Sequence, residues 1–390
     1  MMKDRRNTIC GVENWALQLK LFMTMVFMLL IVQSFCQTTS HLDSLNSLAH
    51  DLRFTHPEKS EATAVSVFHL SEKVGYSKGA ADALKMRGVL RLFSSDFDEA
   101  VDFFHQSLKY YELAKDNIGK AAIVNNLALV YSIQGEYFES LKMHYQSYQL
   151  EKSAGNEKGA AQSLDNIGTI HYHIGNERTA LRFFIQAVAI LYRNLHFEEM
   201  SQTLTHLSAI MNDMGYYQAS IKVNQMAVYL ASQTSQYRTL ADAYNNMANA
   251  YFHLKNFQMA RRNIQIAMEY REFIGDINGM MAAHNIAGAI YREQGDLDLS
   301  DLMYINVLKM SQELGNKRQT STALAEIGEN LRLRGDLEKA ENYLKESLKI
   351  SEEMGMKGLS LETLKYMMRL YHQKGETHIA LALWYKNKQL

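Results

Sequence analysis

"NNLALVYSIQGEYFES", residues 125–140, is written again forty residues later as "DNIGTIHYHIGNERTA", residues 165–180, and once more as "NNMANAYFHLKNFQMA", residues 245–260. Gly135, Gly175, Gly215, Gly295, Gly335 and Gly375 fall at multiples of forty, with Ser95 and Lys255 in the two gaps. A fixed step of this size means stacked supersecondary units, not one mixed core. Numbering each repeat so that this residue is its fifteenth puts the repeat starts at 81, 121, 161, 201, 241, 281, 321 and 361.

The columns then become regular. Position 20 is always small, from Ala100 and Ser140 to Ala340 and Ala380. Position 27 is small in nearly every copy, as in Ser107, Ser147, Ala187 and Ala267. Position 8 is mostly Gly, Ala or Ser; position 7 is mostly apolar; position 11 is often Tyr, as at Tyr131, Tyr251, Tyr291 and Tyr371. Positions 4, 7, 8 and 11 lie on one helical stripe, and so do 20, 24 and 27. Small residues let helix backbones approach while the large ones fill the space between. A glycine at position 15 reverses the backbone between two helices. A second break follows at Gly75, Gly155, Gly275, Gly315 and Gly355. Each repeat is therefore an antiparallel helix pair that buries its apolar faces only by stacking on its neighbours.

Small residues at 8, 20 and 27 with Tyr at 11 resemble the tetratricopeptide repeat, over residues 81–390. The proline usual at position 32 is missing throughout. The forty-residue step and "GNEKGAA"-like junctions resemble the long-helix repeats of kinesin light chains and of maltose-activator-type regulators. The resemblance implies an all-α fold, a right-handed α-solenoid, whose stacked first helices line a concave surface through positions 2, 5, 9 and 12, with 6 at its edge. Residues 37–80 read as a degenerate N-terminal capping pair: Leu42, Leu45, Leu48, Ala49 and Leu52 form a stripe, and Pro57, the only proline, sits near the turn.

Residues 1–36 differ from the rest. "LFMTMVFMLLIV", residues 21–32, is an uncharged apolar run preceded by Lys3, Arg5, Arg6 and Lys20, and followed by "SFCQ". Twelve such residues are short for a bilayer span, so a cleaved signal peptide is the expectation and an uncleaved N-terminal anchor the alternative. Export through the secretory pathway to a periplasmic or extracellular site follows. Both cysteines, Cys10 and Cys36, fall in this segment. Removing it also removes four basic and two acidic groups, leaving 37 basic against 40 acidic, a net of −3. That balance points away from nucleic acid and anionic membranes as the main partner.

Catalytic and metal-binding patterns do not emerge. His171 and His173 are spaced i, i+2, which does not direct both rings to one ligand on a helix, and His171 occupies a column where other repeats place Tyr. No HExxH, GxSxG or phosphate-binding glycine loop occurs. The expectation is a non-enzymatic chain with no cofactor and no metal. A carboxylate clamp is excluded too, since Lys85 at position 5 is followed by Val89 at position 9.

What stands out is a row of amides on the first helices: Asn125, Asn126, Asn166, Asn245, Asn246, Asn249 and Asn285, continued by Asp165 and His206. Asn is a modest helix former, so such a row inside helices costs stability. Two readings follow: the amides tie neighbouring helices together, or they offer donors and acceptors to the backbone of an extended partner peptide. Tyr172 and Phe252, at position 12, add apolar area to the same surface. The expected function is a scaffold binding a protein or peptide in the groove; the alternative is a sensory or regulatory input module. At the far end "ETHIALALWYKNKQL" leaves Leu381, Leu383 and Trp384 on a helix apolar on nearly every side. These three are expected to form an end face that meets another chain, an end-to-end second copy included.

Overall fold

The computed structural model describes Met25, Gln33 and residues 35–389, with side chains as far as Tyr385. The signal-peptide reading falls almost wholly outside the described residues; Cys36 is an exposed free thiol. The chain divides into two compact bodies between Ile170 and His171. Among the described residues there is no strand.

The N-terminal body contains α1 (35–52), α2 (Pro57–Val74), α3 (Ser77–Phe93), α4 (Phe97–Ala114), α5 (Asn117–Ile133), α6 (Tyr137–Ser153) and most of α7 (Glu157–His173). The C-terminal body continues through α8 (Glu177–Arg193), α9 (Phe197–Asp213), α10 (Tyr217–Gln233), α11 (Tyr237–His253), α12 (Phe257–Ile274) and α13 (Ile277–Glu293). It ends with α14 (Leu297–Glu313), α15 (Lys317–Arg334), α16 (Leu337–Glu353), α17 (Lys357–Gln373) and α18 (Thr377–Gln389). Odd-numbered helices from α3 onward are the first helices of the repeats. Each begins four residues ahead of the repeat origin counted from sequence, as Ser77 does for the repeat at 81.

The working period is twenty, half the sequence repeat. Among the described residues, sixteen with positive φ occur at twenty-residue intervals from Gly75 to Gly375, one in every helix–helix turn from α2 onward. At all of these but Ser235 the chain closes the helix end with two reversed bonds. In the first full turn of this kind after α5, Gly135 N–H donates to Ser132 O at 3.1 Å and Glu136 N–H to Tyr131 O at 2.8 Å. This left-handed C-cap satisfies carbonyls the helix leaves open. Five turns hold it without glycine, at Ser95, Lys115, Leu195, Ser235 and Lys255. The next helix often starts on an acid or amide cap; Asp116, for example, accepts from Gly119 N–H at 2.8 Å.

Within a repeat the small-residue columns set the approach of the two helices. Tyr304 lies so close to Gly288 that a Cβ there would come to 2.6 Å from its ring. Ser107 Oγ donates to Ala81 O at 2.7 Å, and Ser347 Oγ to Ser321 O at 2.8 Å, both linking position 27 to position 1. Between repeats, the following first helix lays a ridge across the second helix before it. Ile123, Leu127 and Val130 of α5 pack with Phe104 and Tyr111 of α4. Ala283, Ala287 and Ile290 of α13 pack with Ile264 and Ala267 of α12. That i, i+4, i+7 spacing is one side of a helix. In the N-terminal pair Leu42 and Ala49 are buried as expected, Leu48 is exposed, and Pro57 is the first residue of α2.

Candidate binding face

Side chains at positions 5, 6, 9, 12 and 13 tie neighbouring first helices edge to edge at several places, and these columns make up a first-helix face. In the N-terminal body Asn125 is the junction. Its Oδ1 accepts from Asn166 Nδ2 at 3.0 Å and lies 2.6 Å from His144 Nδ1. With the oxygen as acceptor, the imidazole proton sits on Nδ1. Burial pushes the His144 pKa down to about 4, so the ring is neutral at physiological pH. Asn126, one residue away and half-buried, makes no side-chain hydrogen bond among the described residues.

In the C-terminal body Asn246 Nδ2 donates to Thr205 O at 3.0 Å and to Ser208 Oγ at 3.1 Å. Asn212 Nδ2 returns a bond to Asn246 O at 2.9 Å. Asn285 Nδ2 reaches Gln319 Oε1 at 2.9 Å. Tyr172 OH donates to Asp213 across two first helices. Phe252 is half-buried, edge-on to His253 at 5.4 Å, with the Lys255 ammonium 5.6 Å from its ring centre. Asn249 is half-buried and makes no side-chain hydrogen bond among the described residues. His171, away from this set, stacks on Phe183 at 5.5 Å, a packing role.

The amides thus divide. Asn166 and Asn246 bridge neighbouring helices, the first of the two readings drawn from sequence. Asn212 and Asn285 bridge through Nδ2 as well, but they share a feature with Asn245: the Oδ1 of each is buried and has no donor among the described residues. A buried acceptor left unpaired costs about 1–3 kcal/mol. These three share one face of α9, α11 and α13.

Beyond α13 the same columns change chemistry. Arg292 Nη1 meets Glu326 Oε2 at 2.5 Å, and Tyr366 OH donates to Glu326 Oε1 at 3.0 Å. Burial alone would lower the Arg292 pKa; the adjoining Glu326 carboxylate reverses this and raises it. Glu329 takes both Nε and Nη2 of Arg332, at 2.7 and 2.9 Å, and Arg369 Nη1 at 3.3 Å. This Arg–Glu ladder, and Asn212, were not singled out from sequence. Their signal in the sequence is one of column and not of residue type: they occupy positions 6, 9 and 12, the columns that form this face.

Burial raises the Tyr172 pKa, the Asp213 bond adds to it, and the Arg318 guanidinium opposes it from 146 positions along the chain. Leu383 packs inward on the cluster of Leu344 and Leu370, whereas Leu381 is 54% and Trp384 38% exposed. Among the described residues, no group of acids, histidines and cysteines is placed to hold a metal, and no helix is long and apolar enough to cross a membrane.

Two family profiles, both described as tetratricopeptide repeat, match the chain: one over residues 120–193 and 279–353, the other over 240–272. No curated protein matches it by sequence. Solved structures similar to it include a Rap protein complexed with competence and sporulation factor, at TM-score 0.63 and 15% identity, covering 90% of this chain and 97% of that one. The apo quorum sensor NprR from B. thuringiensis has TM-score 0.61 and 14% identity, covering 80% of this chain and 87% of that one. Aspartyl phosphate phosphatase F from Bacillus subtilis has TM-score 0.58 and 15% identity, covering 80% and 84%. At these identities the likeness is one of fold: an α-solenoid of stacked helix pairs.

Proposed function

The chain is built of tetratricopeptide repeats, and we propose that it is an exported, non-enzymatic scaffold that holds an extended segment of a protein partner along its first-helix face. The observation that carries this reading is the row of donor-less acceptors at Asn212, Asn245 and Asn285. A peptide backbone presents N–H donors at regular intervals, and small shifts of these side chains would turn the acceptors toward it. Phe252 and Tyr172 supply apolar area beside them.

Asn245 separates the two roles of the amide row, because its side chain makes no hydrogen bond among the described residues and its buried acceptor is orphaned there. Partner would be captured from the native envelope on immobilised wild type and on Asn245→Ala. The expected result is weaker capture with thermal stability unchanged or raised. Undiminished capture by the variant removes the amide row from recognition. The export part of the proposal rests on the basic start and apolar run of residues 1–36. It predicts a mature N-terminus at Gln37; an intact start recovered in the cytosol overturns it.

A regulatory input module is the second reading. It is supported by the two neighbours described as a quorum sensor and as a Rap protein complexed with competence and sporulation factor, which cover most of this chain. A short signalling peptide on the first-helix face would then replace a scaffolded protein.

A further inference from the structure

Position 24 of the repeat is buried wherever a following first helix covers it. From Phe104 through His144 to Leu344 no member of this column exceeds 4% exposure, but Trp384 is 38% exposed. Ala340 at position 20 is fully buried, and its counterpart Ala380 is only half-buried. Beside them a cleft of about 520 Å³ opens between α17 and α18, floored by Met368, Ala380, Leu381 and Trp384 and edged by Lys365, Arg369 and His372. No described residue lays on it the ridge that Ile123, Leu127 and Val130 lay on Phe104.

We propose that this cleft takes an amphipathic α-helix of another protein, with an apolar i, i+4, i+7 ridge and a carboxylate immediately before each of the last two ridge residues. The ridge follows from what fills the same place at every earlier repeat. The charge follows from register. Position 6 of an incoming first helix meets the side chain at position 5 of the one before, as Asn166 meets Asn125, and position 9 meets position 9, as Arg369 meets Glu329. On α17 those receiving positions are Lys365 and Arg369, both exposed. Acids at 6 and 9 of the occupant, each one residue ahead of the ridge residues at 7 and 10, answer them.

A second copy fits less well. The N-terminal pair presents Asp43, Ser47 and His50 at the ridge positions, all polar and exposed. A tail-to-tail pair would set Lys365 and Arg369 against their own copies, a like-charge contact. The cleft lies between α17 and α18, apart from the amide row, and the inference stands independently of that row.

The chain itself supplies a probe. Residues 317–334 carry Glu326 and Glu329 in this register with Ala323 and Ile327 on the ridge; Asn330→Ile completes it. A fluorescein-labelled peptide of this sequence, titrated against the full chain and read by anisotropy, is expected to saturate in the micromolar range. Leu381→Glu, an exposed site, and Lys365→Glu should each weaken it about tenfold or more. The same peptide with Glu326→Lys and Glu329→Lys should bind Lys365→Glu better than wild type. Equal binding to Leu381→Glu overturns the inference, as does no binding. A wild-type dimer in sedimentation that Leu381→Glu dissolves also overturns it, by making the occupant a second copy.

Discussion

The ring of Phe104 fills the space that a side chain on Gly88 would need: a Cβ there would come to 2.6 Å from it. Position 8 and position 24 meet in the same way elsewhere: Gly288 faces Tyr304 and Gly328 faces Leu344, whereas the repeat at 241 packs Ala248 in one cluster with Ile264. Gly88→Ala should therefore destabilise the chain by about 1–3 kcal/mol through overpacking. Combining Gly88→Ala with Phe104→Ile transplants the pair used by the repeat at 241. The double variant should be less destabilised than the sum of the two singles, as read from urea midpoints. Simple addition would mean that the two columns are not coupled.

Leu195 tests the turns. Its φ of 58° places an L-residue in the left-handed region, and its side chain is 69% exposed. The conformation costs about 1–2 kcal/mol for a residue with a Cβ; glycine removes this but raises the entropy of the unfolded chain. Leu195→Gly should raise stability by about 0.5–1 kcal/mol, seen as a higher melting temperature. Gly135→Leu, at the equivalent place where φ is 81°, should do the reverse.

The helix–turn period was legible because turn chemistry is local: a glycine column needs no neighbour to be read. The same local rule missed Leu195 and Ser235, whose left-handed turns are imposed by the helices on either side. The amide row was legible as residue types, but its geometry was not. Asn166 and Asn246 share position 6, yet one bonds a side chain and the other chiefly a main-chain carbonyl. What decides is whether position 5 of the preceding helix is Asn125 or Thr205, a pairing visible only once the helices are side by side. Trp384 illustrates the limit at the end face. Its sequence neighbourhood showed an apolar helix, but only the stack showed that Leu383 turns inward while Leu381 and Trp384 do not.

Arg292 and Glu326 are 16% and 12% exposed and meet at 2.5 Å, with Tyr366 also donating to the carboxylate. Removing one partner of such a pair leaves an uncompensated charge in a poorly solvated place. Glu326→Leu is expected to cost about 3–5 kcal/mol, whereas Arg292→Met with Glu326→Leu should cost clearly less than the two singles combined. A full double-mutant cycle by urea unfolding checks this. Independent, additive losses would show that the two side chains do not depend on one another.

His144 gives the chain a defined response to acid. Burial depresses its pKa from 6.5 to about 4, and its Nδ1–H is committed to Asn125 Oδ1. Between those two values the unfolded chain binds a proton that the folded chain does not. Stability from this group is therefore complete above about pH 6.5 and is lost as the pH falls toward 4. A shift of this size corresponds to something on the order of 3 kcal/mol at the acid end. The other depressed histidines, His171, His173, His253 and His284, act in the same direction, so the wild-type slope alone does not isolate His144. His144→Asn does, because Asn224 already occupies the same column and is fully buried there. Melting temperatures of wild type and His144→Asn should converge or cross as the pH is lowered from 7 to 4.5, with the variant losing less. Parallel curves over that range would mean that His144 titrates as an ordinary imidazole and that its burial carries no proton linkage.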